Sequence, residues 1–90
     1  MSNKELIERW FKNHEELKVK GISTTTDKIF SYSTVICQLI NGIYYINKTY
    51  YSDVTVRHLN YIFNYLDGRK NCCYLDKIPI NTKDLTSYIN

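Results

Sequence analysis

Leu6, Ile7, Trp10, Phe11, His14 and Leu17 recur three and four residues apart near the start of the chain, the spacing that lines one face of an α-helix. They predict an amphipathic helix over about residues 3–17. Ser2 and Glu5 have the spacing of a capping box at its start. Lys18 and Lys20 follow at the negative end of the helix dipole, and Gly21 marks the exit. The pattern then changes. Ser23 to Lys28 is polar and β-branched, a short strand running into a turn. From Ile29 to Ser52 two β-rich runs meet at Asn41-Gly42, the pair suited to a type I′ turn because both central residues need φ > 0. Strands are expected over residues 29–39 and 43–51.

A two-residue turn fixes the register: Ile40 faces Ile43, Leu39 faces Tyr44 and Cys37 faces Ile46. One face then holds Val35, Cys37, Leu39, Tyr44, Ile46 and Tyr50, and reads as core. The other holds Tyr32, Thr34, Ile36, Gln38, Tyr45, Asn47, Thr49 and Tyr51, aromatic bodies with polar partners, half-covered or open. A bulge would exchange the faces, because strand side chains alternate with a period of two. His58, Leu59, Ile62, Phe63 and Leu66 line a second helix, about residues 55–66, with Thr55 as its cap and Asp67-Gly68 as its end. Cys72-Cys73-Tyr74-Leu75 reads as one more strand, and Asn81 or Thr82 caps a short last helix carrying Leu85, Tyr88 and Ile89. The expected fold is α+β in a single domain, residues 1–90: N-terminal helix, small antiparallel sheet built on a central hairpin, second helix, short C-terminal strand and helix.

Composition narrows the function classes. A chain this short has little stability in reserve, and a homodimer interface would help it. No apolar run is long enough to span a membrane, and the first ten residues lack the apolar stretch of a signal peptide. A cytoplasmic protein is expected. The formal net charge is +3, but basic and acidic side chains interleave throughout, whereas nucleic-acid binders concentrate basic charge. Gathering Lys48, Arg57, Arg69 and Lys70 on one face would require the fold to do it. Three cysteines, Cys37, Cys72 and Cys73, are an odd and partly adjacent set, a poor disulfide framework without zinc spacing. Reduced thiols and no metal are expected.

The chain carries no nucleophile elbow and no phosphate loop, and its glycines are scattered. No catalytic residue or cofactor is therefore assigned, and a binding protein is expected rather than an enzyme. The nine tyrosines change the picture further, since five of them fall within the hairpin and its flank. Tyrosine is a strand former that commonly packs half-buried in small sheets. It is also the side chain best suited to interfaces, with a large rigid area and one hydrogen-bonding end. Stacking on unpaired bases is a further use, though the basic-aromatic motif of an RNA-recognition sheet is missing. The candidate partner surface is Tyr32, Tyr45 and Tyr51, with Lys48 and Arg57 at its edge.

Ile29-Phe30-Ser31-Tyr32-Ser33-Thr34-Val35-Ile36, then Gly42, Tyr45, Asn47, Thr49-Tyr50-Tyr51-Ser52, Thr55 and His58-Leu59-Asn60 resemble a recurrent small domain of bacteriophage proteins. There a leucine-tyrosine-serine-tyrosine strand is followed by asparagine-x-threonine-x-tyrosine-serine, a threonine-capped helix start and histidine-x-asparagine. The resemblance spans residues 23–66. Val54 departs from the second cap threonine, and Val35 and Cys37 vary the strand. It implies a phage or prophage origin and brings no catalytic residues. For His58 it implies a structural role, bonding the Thr55 cap or packing the helix on the sheet. It further implies a small protein that inhibits a host defence protein by contact, as anti-CRISPR proteins do, with a nucleic-acid-handling component as partner in the host cytoplasm. The second reading is a nucleic-acid-binding accessory or regulatory protein; a ligand-sequestering protein or a small enzyme comes third.

Overall fold

The structure is a computed structural model and describes residues 1–67 and 71–89. Helix α1 spans Asn3–Asn13, and the Ser2 hydroxyl accepts from Glu5 N–H at 3.1 Å, half of the expected capping box. The helix ends one turn before its periodic pattern does. His14 takes φ 51°, and its N–H closes on Trp10 O at 2.7 Å. Beyond it the Thr24 hydroxyl captures the backbone, donating to Glu15 O and accepting from Leu17 N–H. Leu17 thus packs against the core from an extended segment. Gly21, read as the helix exit, instead sits at φ 82° in the turn between β1 (Lys18–Val19) and β2 (Ile22–Thr24).

The run expected as one strand over 29–39 is two: β3 (Lys28–Ser31) and β4 (Thr34–Ile40), folded at Tyr32-Ser33. Tyr32 takes φ 55° and donates its N–H to Gly21 O. The Asn41-Gly42 turn joins β4 to β5 (Ile43–Asn47) with both residues at positive φ and the expected register. β5 stops at Asn47, whose side-chain oxygen accepts from Thr49 N–H. Tyr50 is consequently exposed rather than in the core, its hydroxyl donating to Asp53.

Helix α2 (Asp53–Leu66) is capped by Ser52, not Thr55: the Ser52 hydroxyl accepts from Thr55 N–H at 3.2 Å. Its C-cap, Asp67, has φ −52°; the end expected at Gly68 lies outside the described residues. α2 carries the chain over to β6 (Cys72–Leu75), which pairs parallel with β5. Parallel neighbours need such a crossover, and the sheet is therefore mixed, six strands in the order β1 to β6. The fold is α+β, with the elements in roughly the expected order. The last expected helix is one 3-10 turn, Thr86–Tyr88, after an extended segment in which Lys77 and Asn81 take positive φ.

The sheet has a core on each face. On one side α1 and α2 bury Leu6, Ile7, Trp10, Phe11, Leu59, Ile62 and Leu66 against Ile22, Ile29, Ile36, Cys37 and Ile46. On the other, Ile78 and Leu85 of the C-terminal segment close over Val35, with Phe30, Tyr45 and Leu75 around them. A bulge explains the split. Ile29 pairs with Cys37 and Phe30 with Val35, leaving Ile36 unpaired; Ile36 and Cys37 join the helix side and Val35 turns to the other. No helix among the described residues is long and apolar enough to cross a membrane.

Candidate functional site

The five residues expected to form one surface are divided by the fold. Tyr45 is half-buried beside the second core. Tyr51 donates its hydroxyl to Ile78 O at 2.5 Å and accepts from the Asn47 side-chain amide at 2.9 Å. These two tyrosines hold the C-terminal segment on the sheet. Lys48 and Arg57 are exposed, beyond the end of β5 and on the first turns of α2. Arg69 and Lys70, considered with them for a basic face, lie outside the described residues.

Tyr32 stands apart and is 60% exposed. Its place on a turn, not in a strand, removes it from the alternation that grouped it with Tyr45 and Tyr51. The ring lies against the Gly21 turn so closely that a Cβ added there would sit 3.2 Å from Tyr32 Cζ. Tyr32, Gly21, Lys18, Val19, Ile22 and Ser23 line a cleft of about 220 Å³. A non-glycine residue at positive φ is uncommon and carries strain that the surroundings must hold. Here the Tyr32 N–H bond to Gly21 O and the ring contact hold it.

Behind Tyr32, with ring centroids 6.4 Å apart, lies His58. His58 Nδ1 is 2.8 Å from Ser31 Oγ, which is 3.0 Å from Thr55 Oγ1; His58 Nε2 is 3.2 Å from the Asn3 amide nitrogen. The Asn3 amide nitrogen can only donate, so with that nitrogen as its neighbour Nε2 accepts and Nδ1 carries the proton. Nδ1–H then donates to Ser31 Oγ, the reverse of a serine handing its proton to a histidine base. Ser31 and His58 are also 2% and 1% exposed, out of a substrate's reach. Burial pushes the His58 imidazole pKa below its ordinary value, and the nearby Arg57 charge adds to this. The network ties α1, β3 and α2 together, with His58 reaching the Thr55 hydroxyl through Ser31.

A second depression, about 330 Å³, lies between the helices and is lined by Lys4, Glu8, Tyr61, Asn64 and Tyr65. The sequence reading missed it, although the four-residue spacing of Lys4 with Glu8 and of Tyr61 with Tyr65 was its available signal. Among the described residues no group of three or more His, Cys, Asp or Glu could hold a metal ion.

Against known proteins, residues 5–78 match the model of a family of unknown function, DUF8033. The chain belongs to this family. No curated protein and no solved structure matches it. The DUF8033 match runs from α1 to Ile78, and so contains the Tyr32 turn, Tyr45, Lys48, Tyr51, Arg57 and the His58 network. Leu85 and the last turn lie beyond it.

Proposed function

We propose that this DUF8033 protein is a non-enzymatic protein-binding module whose contact surface is centred on the Tyr32 turn. The observation that carries this reading is an exposed aromatic ring on a left-handed residue, placed over a glycine turn and a cleft. Left-handed non-glycine residues cluster at functional sites, and tyrosine is favoured at interface hot spots. Its rear contacts, Gly21 and the buried His58, leave the ring little freedom to lose on binding. The evenly spread charge leaves affinity to such contacts rather than to long-range attraction.

The resemblance to phage domains supports the partner class: a host defence protein that handles nucleic acid, inhibited by contact in the host cytoplasm. Tagged protein incubated with host extract identifies the partner by mass spectrometry, and titration then compares variants. Tyr32→Ala should weaken binding by about 2 kcal/mol or more while its circular dichroism stays that of the wild type. Tyr45→Phe should bind unchanged. Equal binding by folded Tyr32→Ala would defeat the proposal. Salt-dependent binding to random DNA or RNA, lost in Tyr32→Ala, would instead establish the nucleic-acid reading.

A further inference from the structure

The segment from Ile78 to Leu85 lies on the second face of the sheet as a bound peptide would. Its backbone is what the sheet grips. Ile78 N–H donates to Thr49 Oγ1 at 2.9 Å, and Ile78 O accepts from the Tyr51 hydroxyl. Asn81 N–H donates to Thr34 Oγ1 at 2.8 Å, Thr82 O accepts from Val35 N–H at 2.8 Å, and Leu85 N–H donates to Gln38 Oε1 at 2.7 Å. Of the side chains from 78 to 85, Ile78 and Leu85 are buried and Thr82 is half-buried; the others are exposed. Asp84, next to the second anchor, meets Lys28 at 3.7 Å.

We infer that this face is a binding site for an extended peptide, occupied in cis by residues 78–85 and open in trans to a partner segment of the same chemistry. That chemistry is an aliphatic residue in the place of Ile78, a second in the place of Leu85, and an acidic residue directly before the second. Surfaces that hold extended peptides combine main-chain bonds, which give affinity, with pockets for a few side chains, which give specificity. Both parts are present here. The sheet side of the contact is also suited to being uncovered. Thr34 and Gln38 are buried beneath the segment, and their hydroxyl and amide are groups that water satisfies once it lifts. Lys28, with a side chain 18% exposed, is the charge that selects an acidic neighbour for the second anchor. Tyr32 is not part of this site, so the two surfaces stand or fall separately.

A fluorescein-labelled synthetic peptide of residues 77–89, titrated onto the full chain and followed by anisotropy, tests this. A tethered segment holds its site at an effective concentration in the millimolar range, so the wild-type chain should bind the peptide weakly. Leu85→Ala in the chain removes an anchor of the tethered segment. Asn81→Pro removes its N–H to Thr34, at a residue whose φ of 69° proline does not reach. Both variants should keep the wild-type circular dichroism and bind the peptide about tenfold more tightly or better, since apparent affinity rises with the open fraction. In the Leu85→Ala chain the bound peptide should restore slow amide exchange at Val35, whose N–H it covers, and leave Ile62 unchanged. Leu85→Ala within the peptide should weaken its binding about tenfold or more, and Asp84→Lys within it should weaken binding most at low salt. Equal binding by wild type and variants, no binding by either variant, a peptide indifferent to both of its own substitutions, or fast exchange at Val35 with the peptide bound would overturn the inference. So would unfolding of both variants, which would make the segment part of the fold and not a ligand upon it.

Discussion

At the scale of single residues, conformation decides more than residue type. Gly21 and Gly42 both take φ near 80°, where a side chain is strained. An added Cβ at Gly42 meets nothing within 4 Å, whereas at Gly21 it meets the Tyr32 ring. Gly42→Val should therefore cost about 1 kcal/mol or more through the backbone alone, read from the urea midpoint, and leave partner binding intact. Gly21→Ala should destabilise and also displace Tyr32, so that partner binding falls even in the folded fraction. Full binding by Gly21→Ala would separate the turn from the site. His58 gives a pH signature. Its folded pKa lies below the value of the unfolded chain, so the neutral ring's contribution is complete above about pH 6.5 and is lost as pH falls through the folded value. The stability gap between wild type and His58→Gln should narrow from pH 7 to pH 5. A gap that widens on acidification would mean that His58 is held protonated.

At the scale of elements, chemistry follows from the strand that carries it. Cys37 is buried on β4, and burial pushes its thiol pKa up, while Cys73 is exposed on β6. Native protein treated with a thiol reagent should label at Cys73 first and at Cys37 only on unfolding; early labelling of Cys37 would place it outside the core. The same elements show what the sequence could disclose. Asn41-Gly42 announced its hairpin because both turn positions demand positive φ and their residue types accept it. Tyr32-Ser33 adopts a turn with neither glycine nor asparagine, held by a bond to the distant Gly21, and local turn chemistry carries no trace of that. The α1 pattern ran on to Leu17 because Leu17 does pack against the core; the capture of its backbone by Thr24 is tertiary. The inserted Ile36 moved Val35 to the other face, a change of one residue that periodicity registers only as ambiguity. Tyr45 and Tyr51 were readable as half-buried, but not as clasps for a segment whose own extended path depends on them.

At the scale of the molecule, the two cores are unequal. The helix-side core joins both helices to the sheet. The other rests on one extended segment, attached by Ile78 and Leu85, by Val35 N–H to Thr82 O and by Leu85 N–H to the buried Gln38 side chain. Asn81 and Lys83 bond to the Ser33 turn, and Lys28 pairs with Asp84 at 3.7 Å. These contacts bind a strap to the sheet without entering the helix layer, and segments of that kind open locally before the whole molecule unfolds. Hydrogen exchange should therefore resolve two levels of protection: Leu85 and Val35 amides, which bond to or from the strap, exchanging through a low-energy opening, and the Ile62 amide of α2 through global unfolding. Leu85 is fully buried, and its truncation to Ala removes apolar contact worth about 2–5 kcal/mol in a closed core. Because the strap can open alone, Leu85→Ala should accelerate exchange at Val35 much more than at Ile62. Equal acceleration at both amides would show the strap to be part of one cooperative unit with the helix-side core.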